Sequence, residues 1–251
     1  MKEMLHIERL TKSYAGQNEG KTILDQVDLS VAENEFVCIL GPSGCGKSTL
    51  LRCIAGFESF QGGIACDGQP VRKPSTDRIM VFQDYNQLFP WKTVEKNVQY
   101  PLKVGGMRDK NELRAISDET LRKVGLDGFQ RYYPHELSGG MKQRAAIAKA
   151  LALRPKVILM DEPFAALDAI TRNRLQRELH EIYESEKMTV IFVTHNIQEA
   201  LTLGTRLILL GRSGRIVLDE PNPLPKPVTP STEGYGALWQ HFSDALAKES
   251  A

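Results

Sequence analysis

No apolar run in the 251 residues approaches the ~18 needed to cross a bilayer as a helix. The chain is therefore not expected to form a membrane passage by itself. Residues Met1 to His6 hold no long apolar core, so no signal peptide is expected. Neither sign of charge is in excess. There are 32 Lys and Arg against 31 Asp and Glu, with no basic stripe, which argues against nucleic acid as the main ligand. Heptad runs and internal repeats are lacking, which removes rods and solenoids. Cysteine is scarce. Cys38, Cys45, Cys53 and Cys66 include no C-x-x-C pair, and reduced thiols in a cytosolic protein are expected. What remains is an ordinary globular composition with room for one large α/β domain or two small ones.

Against those absences one stretch stands out. Gly41-Pro42-Ser43-Gly44-Cys45-Gly46-Lys47-Ser48-Thr49 follows the apolar run Phe36 to Leu40 and precedes a helical pattern reaching Phe57. Strand, glycine loop and helix in that order fit the phosphate-binding loop G-x-x-x-x-G-K-[ST]. Glycines let backbone N–H groups curl around a phosphate, and the helix N-terminus adds free donors and partial positive charge. Lys47 is placed to reach the β- and γ-phosphates, and the Ser48 hydroxyl to help hold Mg²⁺.

The rest of the chain alternates strands with helices. Strands are expected over residues 5–10, 23–31, 78–82, 157–160, 189–193 and 207–210, with 215–219 pairing beside the last. Residues 62–72 read as a hairpin turning at Asp67-Gly68. A helical insert spans about 93–153, and a long amphipathic helix about 170–187. The alternation predicts a mostly parallel sheet covered on both faces. Five prolines between Pro221 and Pro230 read as an extended tail. A short helix over 234–247, with Leu238, Trp239, Phe242 and Leu246, docks on the core, meets a partner or forms a regulatory site.

Two further stretches carry chemistry. The strand Val157 to Met160 ends in Asp161-Glu162, and ligands of open α/β sheets sit at strand carboxyl ends. Asp161 suits holding Mg²⁺ through a water, in the sense of the Walker-B pattern, and Glu162 suits orienting or deprotonating a water. Ser138-Gly139-Gly140, before a good helix, makes either a second phosphate cradle or an ordinary helix cap. As a cradle it makes sense facing a nucleotide bound to another copy.

Leu137-Ser138-Gly139-Gly140-Met141-Lys142-Gln143-Arg144, placed just before that strand, resembles the signature sequence of ABC ATPases. Gln83 is similar to their Q-loop glutamine, Ala166-Leu167-Asp168 to the D-loop, His195 to the switch histidine, and Tyr14 to the aromatic that stacks on adenine. The resemblance covers about residues 4–220. It implies an α/β P-loop NTPase core with an antiparallel β subdomain and a helical subdomain at about 84–153. The ATPase domain would then span 1–230, leaving 231–251 as a tail. It also implies two copies closed head-to-tail around two Mg-ATP. In each site Tyr14, Gly41 to Thr49, Gln83, Asp161, Glu162 and His195 would act with Ser138, Gly139 and Gly140 of the opposite copy, and Asp168 of the D-loop would contact the nucleotide as well. Lys47, Gln83, Glu162 and His195 would carry the catalysis; Ser48, Gln83 and Asp161 would hold the metal. Ala165 replaces the family's common serine, which leaves one D-loop hydrogen bond in doubt.

Residues Asp84 to Trp91, with Leu88, Phe89 and Trp91, are expected to expose an apolar patch to a membrane subunit, the other option being packing inside the insert. The wording Phe82-Gln83-Asp84 through Trp91, with Pro163 to Asp168, resembles the nitrate, sulfonate and taurine importer branch. The partners so implied are a second ATPase subunit, integral permease subunits and, indirectly, an extracytoplasmic solute-binding protein. The place implied is the cytoplasmic face of the cell membrane. A nucleic-acid-linked ATPase would need a basic stripe or long heptads, and a metabolic kinase would not need Ser138 to Gly140 as a second cradle.

Overall fold

The computed structural model describes residues 2–14, 21–83 and 87–250. The expected loop after Tyr14 falls largely on residues 15–20, which lie outside that description, as do Asp84, Tyr85 and Asn86. Ten strands and seven helices follow in the order β1 (Glu3–Tyr14), β2 (Lys21–Ala32), β3 (Phe36–Leu40), α1 (Lys47–Ala55), β4 (Gln61–Cys66), β5 (Gln69–Pro70) and β6 (Arg78–Val81). Then come α2 (Val94–Val104), α3 (Lys110–Lys123), α4 (Gly139–Leu151), β7 (Val157–Asp161), α5 (Ala169–Glu186), β8 (Thr189–Val193), α6 (Ile197–Leu203), β9 (Arg206–Leu210), β10 (Ile216–Pro221) and α7 (Tyr235–Ser250).

Strands β3, β7 and β8 are buried at every position, so they cannot show the alternation of a half-exposed strand. They form the middle of a six-stranded sheet, β10-β9-β3-β8-β7-β6, parallel except for the antiparallel edge β10. Odd and even residues of the central strands part to opposite sides. Val37, Ile39, Val157 and Leu159 face α1 and the second sheet, whereas Phe36, Cys38, Leu40, Ile158 and Met160 face the remaining helices. The second sheet, β2-β1-β4-β5, is antiparallel throughout. Its turn has Asp67 at φ 47° and Gly68 at φ 72°, the paired positive angles that Asp-Gly supplies to a tight hairpin.

The insert resolves into α2, α3 and α4, packed on one another, with Thr93 and Asp109 accepting first-turn N–H groups at the starts of α2 and α3. The segment before it corrects the sequence reading. Leu88 is buried, not displayed, and sits in the core with Val94 and Val98. Trp91 is 70% exposed. Asn97, wholly buried, explains how one loop does both. Its Oδ1 accepts from Phe89 N at 2.7 Å, and its Nδ2 donates to the carbonyls of Phe89, Lys92 and Thr93 at 3.0–3.2 Å.

The proline-rich segment is held at the C-terminus of α6, where helix carbonyls lack partners of their own. Asn222 Nδ2 donates to Leu201 O and Gly204 O, both at 2.8 Å, and Lys226 Nζ donates to Leu201 O and Thr202 O at 2.9 and 2.7 Å. Helix α7 is longer than expected. It packs on α6 and β9, with Phe242 fully buried and Leu238 and Leu246 partly so.

Burial pushes the Lys226 ammonium down to about 8, although nearby Cys38 and Glu184 pull it up. An unfolded lysine keeps its proton to about pH 10.4. Between those values the unfolded chain binds more protons, so this group's contribution to stability rises with pH. The unfolding free energy of the wild type relative to Lys226→Met should climb across that window and be flat below it. A flat difference throughout would mean that the ammonium is fully hydrated.

Candidate functional site

The site forms where parallel strands end. After β3 the chain turns through Gly44 at φ 80° and Gly46 at φ 108°, then enters α1. Both angles lie in the left-handed region that favours glycine. Gly41 serves differently. A Cβ on it would stand 2.4 Å from Leu210 O and 2.7 Å from Cys45 Sγ. Lys47 is buried and its ammonium donates to Gly41 O at 2.7 Å and Pro42 O at 3.0 Å. The charge is therefore held inside the loop. Ser43, Gly44, Gly46, Lys47, Ser48 and Thr49 share the wall of a shallow cavity of about 290 Å³ with Tyr14, Ile23 and Glu162. The Tyr14 ring is partly exposed at its rim, 4.6 Å from Lys12 Nζ.

The acidic side is built by β7. Ser48 Oγ donates to Asp161 Oδ1 at 2.9 Å, across 113 positions of sequence. Burial raises the Asp161 carboxyl above its usual range; the Ser48 bond opposes this and the neighbouring Glu162 adds to it. Glu162 takes the uncommon φ of 44°, and its Oε2 lies 2.8 Å from His195 Nδ1. Ser48 and Asp161 together present only oxygen, the donor type that a hard divalent cation takes, and so fit Mg²⁺. Among the described residues there is no cluster of three or more His, Cys, Asp or Glu able to hold a metal alone.

The remaining expected residues stand elsewhere. Gln83 is exposed beyond the end of β6 and does not line this cavity. Ser138 caps α4, accepting from Met141 N at 3.4 Å, and with Gly140 it lines a separate cavity of about 340 Å³ bounded by Arg144, Thr171 and Arg174. Gly139 opens α4. Gly140 lies so close to α5 that a Cβ would meet Thr171 at 2.8 Å. Asp168 caps α5 by accepting from Thr171 N at 2.9 Å. The structure thus gathers the phosphate loop, Tyr14, Asp161, Glu162 and His195, and keeps Ser138 and Gly140 apart from them in the same chain. Sequence reasoning passed over Thr194, Glu199 and Arg172, which join behind the site. The one available sign was a carboxylate, Glu199, within the otherwise apolar face Ile197-Ala200-Leu201.

Comparison with known proteins adds family context. A family model described as ABC transporter matches residues 24–165. The chain is 42% identical to a nitrate import ATP-binding protein of Synechococcus elongatus over 223 residues, covering 88% of this chain and 81% of that one. It is 46% identical to a taurine import ATP-binding protein of Rhizobium johnstonii over 218 residues, covering 85% and 82%. Among solved structures it resembles a dimeric ATP-binding cassette in a post-hydrolysis state bound to ADP and Pi. There the TM-score is 0.78 at 35% identity, over 87% of this chain and 99% of the other. It also resembles cbiO1 of Clostridium perfringens, part of the ABC transporter complex cbiONQ. That match has a TM-score of 0.80 at 26% identity and covers 98% and 93%.

Replacing Gly41 by Ala should force the loop away from Leu210 and lower stability by about 1–3 kcal/mol, as overpacking does. Urea unfolding reads this directly, and an unchanged midpoint would show that the loop yields freely.

Proposed function

This chain belongs to the ABC transporter family, and we propose that it is the ATP-hydrolysing subunit of an importer for a small anion. The observation that carries the reading is one cavity lined by the phosphate loop and Glu162, with Asp161 bonded to Ser48 and His195 to Glu162, and a separate cavity lined by Ser138 and Gly140. The chain is an ATPase of this family, and each expected residue has a task there. Lys47 and the loop amides bind the phosphates, and Tyr14 offers its ring to the base. Ser48 and Asp161 would hold Mg²⁺, whose charge offsets that of the β- and γ-phosphates. Glu162 orients the attacking water and takes its proton, while His195, paired with it at 2.8 Å, holds the carboxylate in place. Gln83, exposed after β6, would join on closure.

The second cavity supports a head-to-tail dimer. Ser138, Gly139, Gly140 and Asp168 of one copy would meet the nucleotide of the other. The dimeric relative, and relatives named for import, support the same reading. ATP then favours the closed pair over the open one only through contacts to its γ-phosphate, since a ligand shifts an equilibrium by its difference in affinity between the states.

Attachment to a membrane is proposed through partners, at the cytoplasmic face, with an extracytoplasmic solute-binding protein acting further out. Among the described residues no helix is long and apolar enough to cross a membrane. The surface that fits a permease is the aromatic group around Trp91. Phe89 packs edge-on against Tyr100 with centroids 4.6 Å apart, and Trp91 lies 5.5 Å from Phe89. Lys149 Nζ sits 4.5 Å from the Phe89 ring. Exposed aromatics of this kind are the usual anchors of an interface. A solute bearing an anionic group is supported by the relatives named for nitrate and taurine import.

With hydrolysis blocked, Glu162→Gln should form a stable dimer on adding Mg-ATP and not on adding Mg-ADP, as read by size-exclusion chromatography with light scattering. A monomer in both would remove the two-copy site. Trp91→Ser should abolish co-purification of the integral membrane subunit from gently solubilised membranes. Recovery of that subunit in equal amount would move the docking surface elsewhere.

A further inference from the structure

Behind the loops bearing His195 and Asp168 lies a polar chain for which the function above has no use. Thr194 and Glu199 are 1% and 5% exposed. Thr194 Oγ1 donates to Glu199 Oε2 at 2.6 Å and accepts from Asn196 N at 3.0 Å. The other Glu199 oxygen faces Arg172 Nε at 3.6 Å. Arg172 Nη2 donates to Leu167 O at 2.8 Å. An unbroken series, Thr194–Glu199–Arg172–Leu167, therefore starts beside His195 and ends beside Asp168. It crosses from the end of β8 through α6 and α5 to the loop before α5.

Stability alone gives no reason for this arrangement. Removing the Glu199 charge from water costs as much as or more than its attraction to the part-exposed Arg172 returns, and well-packed apolar residues often serve as well. Burial indeed raises the Glu199 carboxyl, opposed by Thr194, the charges of Arg172 and His195, and Gln176. Arg172 Nε is itself buried without a hydrogen bond, so the Glu199 carboxylate is what answers its charge. A charge pair flanked by two hydrogen bonds, Thr194 to Glu199 and Arg172 to Leu167, ties two loops together in a way apolar packing does not.

We propose that Glu199 and Arg172 are positioning residues, which hold the loop of His195 and the loop of Asp168 in register with each other. This rests on the reading of both loops as parts of the ATP site. It places the two residues in transmission between sites: Asp168 stands at the α5 start that Gly140 touches through Thr171, and His195 stands on Glu162. A closing partner that shifts the Asp168 loop would move His195 through this pair.

The test measures steady-state ATPase kinetics, per folded molecule, for Glu199→Gln, Arg172→Gln, their double variant and Arg172→Lys in the full chain. Glu199→Gln keeps an acceptor for Thr194, removes the charge and replaces the oxygen facing Arg172 with an N–H donor. Each Gln variant should lower kcat about tenfold to a hundredfold with KM for ATP within about twofold, the size of loss that misplacement of a reacting group gives. The double variant should be no slower than the slower single, because the two act as one pair. Arg172→Lys should recover most of the rate. Additive losses, or a lower melting temperature with kcat per folded molecule unchanged, would overturn the proposal. If Glu199→Gln does not fold, Arg172→Gln against Arg172→Lys decides by the same criterion. His195→Ala separates the two levels: normal turnover in it would remove the site reading itself, whereas its inactivity beside a fully active Glu199→Gln removes only the positioning role.

Discussion

The parallel ladder does not stop where the strands do. Past the end of β7, Glu162 N donates to Val193 O at 3.0 Å, and past the end of β8, Thr194 N donates to Ile39 O at 3.2 Å. These two bonds carry the register of the sheet into the loops. They set where Glu162 and His195 begin relative to the turn after β3. The distance from Ser48 to Asp161 and that from Glu162 to His195 follow from it. Buried backbone donors must find acceptors, so the loops have little freedom to leave this arrangement. The glycine at position 41 completes the same constraint from the other side, letting the turn lie against the end of β9.

The parts of the site written contiguously in the chain were legible in it. A glycine loop after an apolar strand, and two acids ending another, declare themselves because each is one strand and one turn long. The parallel sheet, the pairing of 215–219 beside its last strand and the Asp-Gly hairpin were legible for the same reason, the antiparallel sense of that edge being set only in the fold. Leu88 was not. Its neighbours are polar or aromatic, and only the packing of β6 against the insert decides that it turns inward while Trp91 turns out. Glu199 and Arg172 were hidden differently. Each reads as an ordinary helix charge, and their meeting depends on how α5 crosses α6. The length of α7 was underestimated because propensity cannot foresee that its end is held: Glu249 accepts from Arg212 N at 3.0 Å, next to the hairpin between β9 and β10.

The same carboxylate and serine types play unlike parts according to depth. Asp161, buried at the strand end, accepts from the Ser48 hydroxyl. Asp168, exposed, caps a helix; hydrogen bonds from Thr171 hold its carboxyl below the usual range. Ser48 faces an acid within its own chain, whereas Ser138 caps a helix and opens onto solvent. Ser48, Asp161, Glu162 and His195 are brought together by hydrogen bonds within one chain, whereas Ser138 and Gly140 line a cavity apart from them.

Asn97 grips the loop from Phe89 to Thr93 by backbone atoms alone. Side chains at Pro90 and Trp91 carry none of those bonds. Shape and identity are thus encoded separately in this segment. Substitution at positions 90 and 91 can therefore recast the displayed surface while the frame that presents it keeps its shape.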